Sequence, residues 1–529
     1  MIFQFRLLHT LLLFTALLAA LSDAGKILIY SPSLTISHLI SNARIADTLV
    51  EAGHDVTLFI LEYMPIDSFK YKGKAKLITM RGISTRFVDD LEGADEYMLT
   101  HARLGFIERI YFEYSLTAMC QAVMDRQEDL EELRRMSFDV AFSEQVDLCG
   151  VGIIRYLGIM NHIWISTTPI MDAVSYNLGI PAPPSYVPAI EENDNSDVMG
   201  FWQRAFNLYM YVGSIIVHRI GTDRSTKAIQ KYDPNFPNIR DIVANSSLCF
   251  VYSDEILDFA RPILHKTIYI GGLGVQKPKP LDEKFSGIMS KGKKGVVIIS
   301  LGSAVPFGSF PAAVIKGVVN VVKEMSDYHF VFKIANDDKK TIEHFEDVKN
   351  YDLVNWIPQS DILAHPRLKL FVTHGGNNGL IEAVLRAVPL VVVPVFADQF
   401  RNARMAEKRG IGKVLLKLEL SEETFREAVK TVLEDESYKK RVTRISKMMQ
   451  SKPFSPEERL VKWTEFTLEH GVIEEFTPEG AKMNAIVYFN LDVIALFLII
   501  SLLFLHILIT TLSRICYNES QPHIKQKMH

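Results

Sequence analysis

Cysteine is scarce in this chain: Cys120, Cys149, Cys249 and Cys516 are the whole complement of 529 residues. They form no CxxC pair and no His–Cys cluster, which excludes a scaffold built on disulfides and gives no reason to expect a metal. An excess of one charge is also lacking. Lys and Arg number 58 against 62 Asp and Glu, a net charge of −4 that gives no ground for a nucleic-acid partner. Internal repeats and low-complexity tracts are absent as well. Roughly 465 residues lie between two apolar ends, too many for one ordinary domain and enough for two with a connector.

Long uncharged runs are confined to those ends. Arg6 precedes an apolar stretch, Leu7–Leu21, broken by His9, Thr10 and Thr15, and Ser22-Asp23-Ala24 offers small residues for cleavage. That order is a secretory signal, so residues 1–24 are set apart from the fold; an uncleaved anchor is the alternative. Val493–Ser513 holds no Asp, Glu, Lys or Arg. A helix of about 20 such residues crosses a hydrocarbon core of ~30 Å. Residues 491–513 are therefore read as a transmembrane helix and 514–529 as a tail. Arg514, Lys525 and Lys527 follow the span, whereas Glu474, Glu475, Glu479 and Asp492 precede it, which predicts a cytoplasmic tail and a type I orientation. In that orientation Asn245-Ser246-Ser247 is a glycosylation sequon on the non-cytosolic side, while Asn518-Glu519-Ser520 lies behind the span and stays bare.

Between the ends, short apolar runs alternate with helical spacing. Ile27–Tyr30 reads as a buried strand, Leu39, Ala43, Ala46 and Val50 mark a helix, Gly53 stops it, and Val56–Leu61 resumes a strand. The pattern returns downstream: strands at Val296–Leu301, His329–Ile334, Leu368–Thr373 and Leu390–Val393, with helices at Ala312–Met325, Asn378–Arg386 and Gln399–Arg409. Strands and helices alternating in both halves predict two parallel-sheet α/β domains, residues 25–275 and 285–480. Gly271–Lys284, rich in Gly, Pro and Lys, is the expected boundary. Pro181–Ser196, with prolines among acidic and Asn residues, reads as a surface loop or the entry to a helical lid. Glu422–Met449 reads as helical, with Ser421 as its N-cap.

One region is far denser in polar residues than a core needs. Trp356-Ile357-Pro358-Gln359, His374-Gly375-Gly376-Asn377-Asn378-Gly379, Glu382 and Asp398-Gln399 each follow a predicted strand. In open α/β sheets that edge is where ligands bind. The glycines let backbone approach a ligand, and the free N–H groups of a helix start favour a diphosphate. Trp356 offers a flat face for a base and Gln359 a group to read its edge or the ribose. Glu382 can accept from ribose hydroxyls, and Asp398 with Gln399 suits vicinal sugar hydroxyls. Chemistry alone thus describes a site for base, ribose, diphosphate and sugar.

Trp356 through Gln399 resembles the signature of the UDP-glycosyltransferase superfamily, in particular its animal UDP-glucuronosyltransferase branch. The resemblance implies a GT-B fold of two facing Rossmann-like domains, an inverting reaction, a UDP-sugar donor, a small lipophilic acceptor and no cofactor or metal. It assigns Trp356 and Gln359 to uridine, His374, Gly376, Asn378 and Gly379 to the diphosphate, Glu382 to ribose, and Asp398 and Gln399 to the sugar. Ser303 resembles a second diphosphate contact, and Ala387 departs from the pattern, which has glycine there. Ser37-His38 resembles the catalytic histidine; Glu144, after Phe138-Asp139-Val140, stands where the family usually has its Asp partner, with Asp147 as fallback. Imidazole titrates near pH 6.5 and suits a general base. Arg261 either meets a glucuronate carboxylate or braces the hinge. Lys525 and Lys527 resemble an endoplasmic-reticulum retrieval signal, with a plain stop-transfer cluster as the alternative. The resemblance further implies lumenal catalytic domains, a role in conjugating lipophiles, and assembly with itself or related transferases as an open matter. Two other readings stay in view: a UDP-glucosyltransferase acting on an endogenous lipid or sterol, and a non-catalytic lipophile binder on the same fold.

Overall fold

Short apolar strands followed by amphipathic helices bury both faces only in a parallel sheet, and the computed structural model contains two such sheets. It describes residues 24–302, 306–335 and 338–519. The first sheet comprises β1 Lys26–Pro32, β2 Asp55–Leu61, β3 Lys76–Met80, β4 Val140–Glu144, β5 His162–Ser166, β6 Leu248–Val251 and β7 Thr267–Tyr269. The second comprises β8 Gly295–Ser300, β9 Tyr328–Lys333, β10 Tyr351–Val354, β11 Leu368–Thr373, β12 Leu390–Val392 and β13 Gly412–Val414. All pairings are parallel.

The orders are β3-β2-β1-β4-β5-β6-β7 and β10-β9-β8-β11-β12-β13. Each sheet therefore reverses direction once, between β1 and β4 in the first and between β8 and β11 in the second. In a doubly wound sheet the crevice at that reversal, outside the carboxyl ends, is where ligands bind. Both halves are Rossmann-like, and each directs its switch point to residues singled out in the sequence.

The helix after β1, α1 (Ile36–Glu51), buries Leu39, Ala43, Ala46 and Leu49 against the first sheet. Gly53, at φ 101°, turns the chain out of it into β2. In the second half, α2 (Asn377–Leu385) follows β11 and α3 (Gln399–Lys408) follows β12. The stretch expected as helical from Glu422 is two helices, Glu422–Glu434 and Glu436–Gln450, because Asp435 leaves helical geometry to cap the second. Ser421 caps the first, its Oγ accepting from the Thr424 N–H. A later helix, Pro456–His470, returns to the first sheet, where fully buried Leu460 joins Ile27 and Val140.

Pro181–Ser196 is irregular, as expected, but it is not a surface loop. Ala189, Ile190, Glu192, Asn193 and Asn195 are buried. Polar composition normally signals solvent; here it satisfies backbone that would otherwise be buried unpaired. Asn207 Nδ2 donates to Pro184 O (2.7 Å) and Val187 O (2.9 Å), and its Oδ1 accepts from Ala189 N and Asn193 Nδ2. Cys120 and Cys149 form a disulfide, a single tie rather than a scaffold among the described residues, and Cys249 is a buried thiol.

The chain divides into two compact units after Thr477. The second contains the helix Leu491–Glu519, of which Leu491–Tyr517 (27 residues, mean hydropathy 2.9) is long and apolar enough to cross a membrane. The signal expected at residues 1–24 lies, but for Ala24, outside the described residues, as do Ser303 and the tail lysines Lys525 and Lys527.

Candidate active site

His38 stands in the first turn of α1, just beyond β1, and Glu144 ends β4. These two positions flank the switch point of the first sheet. His38 Nδ1 lies 2.7 Å from Glu144 Oε2 and 3.0 Å from Oε1, with Thr167 Oγ1 at 3.4 Å. Glu144 is fully buried, whereas the His38 side chain keeps 16 % of its surface. Burial on its own would lower the imidazole pKa; Glu144, and then Asp398 from the other half, hold it above the ordinary value instead. A carboxylate can only accept at Nδ1, so the lone pair of the neutral ring sits on Nε2. Asp147, the fallback partner, is engaged elsewhere: its Oδ2 accepts from Tyr30 (3.1 Å) and Tyr63 (3.0 Å) hydroxyls. Burial raises its pKa to about 7.

The second half brings its own set to the β8–β11 switch point. The ring of His374 is wedged between two glycines. A Cβ on Gly302 would fall 2.7 Å from its Cε1, and one on Gly376 would fall 2.5 Å from its Nε2. Burial, with the nearby Lys333 ammonium adding to it, pushes the His374 pKa down to about 4, so the ring is neutral near pH 7. Among the described residues its buried Nδ1 has no hydrogen-bond partner. Gly376 leads into α2, so the free N–H groups of that helix open beside the imidazole. Gly379, on the first turn, would bring a Cβ to 3.5 Å from Gln359 Nε2.

Trp356 follows β10 with 61 % of its surface exposed and meets the Phe285 ring edge-on (6.3 Å, 71°). Such exposure of a large ring has no packing rationale. Gln359 Nε2 donates to Glu382 Oε2 at 3.0 Å, bringing together the two residues assigned to uridine and ribose. Asp398 accepts at Oδ2 from Asn402 Nδ2 (2.7 Å), and Asn402 also donates to Gly375 O (3.0 Å), which ties the sugar loop to the glycine loop. Burial raises the Asp398 pKa to about 6. Gln399 turns its Oε1 onto the Val395 (2.9 Å) and Phe396 (3.2 Å) N–H groups, so only Nε2 of that amide can face a ligand.

Among the described residues, Arg261 contacts neither the expected hinge Gly271–Lys284 nor the second half through its hydrogen bonds. Its Nη2 donates to Ser175 Oγ (2.9 Å) and Pro181 O (3.2 Å) and its Nη1 to Ile170 O (3.4 Å), all within the first half. Asn245 is exposed at the end of the helix Ile239–Ala244.

Several residues of the cleft escape the sequence reading. Arg44 Nη2 lies 2.8 Å from Glu382 Oε1, Ser41 Oγ accepts from Asn378 Nδ2 at 2.8 Å, and Asn377 Nδ2 donates to Tyr252 O (2.7 Å) and Thr167 O (3.2 Å). His38, Ser41 and Arg44 are spaced by three on α1, so they line one face. That spacing was the available signal. Lys333, at the end of β9, donates to Gly302 O (3.3 Å) beside His374.

With this geometry in view, residues 25–527 match the family model "UDP-glucoronosyl and UDP-glucosyl transferase". The chain is 38 % identical over 486 residues to the putative UDP-glucuronosyltransferase ugt-50 of Caenorhabditis elegans, covering 91 % of this chain and 93 % of that protein. It is 27 % identical over 513 residues to mouse UDP-glucuronosyltransferase 1A7, covering 92 % and 91 %. Among solved structures it resembles the glycotransferase of kitacinnamycin (TM-score 0.58, 17 % identity, covering 85 % of this chain and all of that one). The calicheamicin glycosyltransferase CalG4 is similar too (TM-score 0.53, 16 % identity, 84 % and 99 % covered).

Proposed function

The chain belongs to the UDP-glucuronosyl and UDP-glucosyl transferase family, and from that we propose that it moves a glucuronosyl group from UDP to a hydroxyl of a small lipophilic acceptor. It is a glycosyltransferase of GT-B fold drawing on a UDP-sugar. The observation that carries base-assisted transfer to a hydroxyl is the two-point grip of Glu144 on His38 Nδ1, at 2.7 and 3.0 Å, while the choice of glucuronate rests on the names of the relatives.

On this reading Nε2 takes the acceptor's proton as the hydroxyl oxygen attacks the anomeric carbon. The bond from that carbon to the diphosphate oxygen breaks, its electron pair leaves with UDP, and inversion gives a β-glycoside. Glu144 holds the tautomer and steadies the imidazolium. The diphosphate charge would rest on the N–H groups opening α2, the neutral His374 and the Lys333 ammonium, so the proposal calls for no metal and no cofactor. Trp356 would stack on uracil, Gln359 and Glu382 would hold uridine and ribose, and Gly376, Asn378 and Gly379 would border the phosphates. Asp398 and the Gln399 amide would read the sugar.

The second donor, UDP-glucose, remains in contention for a stated reason. Arg261 was the one cation singled out for a glucuronate carboxylate, and its guanidinium is committed to Ile170, Ser175 and Pro181. Localisation belongs to the same proposal: the apolar helix Leu491–Tyr517 supports a membrane anchor, with the catalytic halves in the endoplasmic-reticulum lumen and lipophile conjugation as the role. The test is transfer from UDP-glucuronate and UDP-glucose, side by side, to a panel of phenols and steroids. His38→Ala must abolish transfer while UDP still protects the protein on heating; full activity in that variant would overturn the assignment.

A further inference from the structure

The loop that carries Asp398 and Gln399 is gripped from the opposite half by the main chain and the side chain of one acidic residue. The Glu192 N–H donates to Ala397 O at 3.0 Å, and the Ala397 N–H donates back to Glu192 Oε1. Both polar backbone groups of Ala397 are thus taken by one residue. Glu192 Oε2 accepts from Leu104 N (2.9 Å), and Arg103 Nη1 donates to Glu192 O (3.3 Å), which anchors the grip on the segment before the helix Phe106–Met124.

Four further observations mark this contact as built. Glu192 is only 2 % exposed, and a carboxylate is buried at a cost unless it is paired. Lys417 supplies a nearby cation, and its Nζ donates to Val395 O, two residues before Ala397. Glu192 and Ala397 also face each other with φ of 56° and 54°. Two non-glycine residues in the left-handed region persist only where the surroundings hold them. Arg404, on α3, adds a second tie by donating from Nε to Asp194 O at 3.0 Å.

We propose that Glu192 is a positioning residue for the donor sugar: by fixing the Ala397 peptide it sets the direction in which Asp398 and Gln399 enter the cleft. The proposal rests on the reading of those two residues as sugar contacts. Gln399 Oε1 serves Val395 and Phe396, and Asn402 holds Asp398, but within that network the Ala397 peptide has Glu192 as its partner. Without the carboxylate the Ala397 N–H loses its acceptor, and the main-chain bond from the Glu192 N–H to Ala397 O is left to hold the turn by itself, so the chain entering Asp398 shifts.

The experiment compares the full-length chain, Glu192→Ala and Glu192→Gln in nanodiscs, titrated separately with UDP and with UDP-glucuronate and UDP-glucose, alongside donor and acceptor KM. In the alanine variant, affinity for the preferred UDP-sugar should fall about tenfold or more while that for UDP holds, and donor KM should rise without a matching change in acceptor KM. Glutamine, which keeps one accepting oxygen, should fall between. The ratio of UDP-sugar to UDP affinity is independent of the folded fraction, so partial unfolding cannot imitate the result. An unchanged ratio in Glu192→Ala overturns the proposal. Failure of the unaltered chain to bind UDP overturns the donor-site reading itself, and the proposal with it.

Discussion

Arg44 Nη2 lies 2.8 Å from Glu382 Oε1, so a guanidinium of the first half ion-pairs with the carboxylate assigned to ribose in the second. Glu382 is 6 % exposed and its other oxygen accepts from Gln359. Removing one member of a buried pair leaves an uncompensated charge. Since the Arg44 side chain retains 21 % of its surface, the cost is discounted to about 1.4 kcal/mol, a tenfold effect. Arg44→Ala should raise the UDP dissociation constant about tenfold and lower the midpoint of thermal unfolding. Calorimetric titration checks the first, and unaltered UDP affinity would mean the pair is not part of the nucleotide site.

The His38–Glu144 pair predicts a pH dependence of defined sign. A base must be neutral, and His38 is held above its ordinary pKa, so kcat/KM should rise with pH to a plateau whose midpoint lies above about 6.5. In Glu144→Gln the carboxylate is gone while burial, which lowers the pKa, remains. The midpoint should therefore move to lower pH, and the plateau should drop by about 10²- to 10⁴-fold. A profile that loses rate without shifting would separate Glu144 from the titration of His38.

Much of this site is legible from sequence because it is local. Leu368–Thr373 is a strand, and the glycines and donors behind it are placed by that strand and the helix that follows. Glu144 is legible through the resemblance alone, since its contact with His38 joins residues 106 apart in the chain. Arg44, Asn377 and Glu192 are not, because each acts across the cleft and depends on how two halves of the chain face one another. Pro181–Ser196 misleads in a different way: its polar residues pair with each other and with Asn207, so composition that signals solvent accompanies burial. Ser303 lies outside the described residues.

Trp356 offers a test that separates binding from folding. Its indole is 61 % exposed and touches Phe285 only edge-on, so truncation removes little packing. Stacking of a base on an aromatic face is worth about 1 to 3 kcal/mol. Trp356→Ala should weaken UDP by roughly five- to 150-fold at an unchanged unfolding midpoint, with Trp356→Phe retaining part of the affinity. Titration of UDP against both variants decides it; equal affinity in the alanine variant would remove uracil from this ring.

Ala387 ends α2 in a conformation that glycine adopts without strain. Its φ is 56°, its N–H donates to Val384 O (2.9 Å), and the Val388 N–H donates to Ala383 O (2.9 Å), the paired bonds of a left-handed helix stop. Alanine pays about 1 kcal/mol in that region, while glycine gives back part of the gain through a freer unfolded chain. Ala387→Gly should therefore stabilise the protein by about 0.5 to 1 kcal/mol without altering donor KM. Ala387→Val, with a β-branched side chain in the same region, should destabilise it. Thermal unfolding of the three proteins under one set of conditions provides the comparison, and a glycine variant less stable than the unaltered chain would show that the turn does not need a left-handed residue.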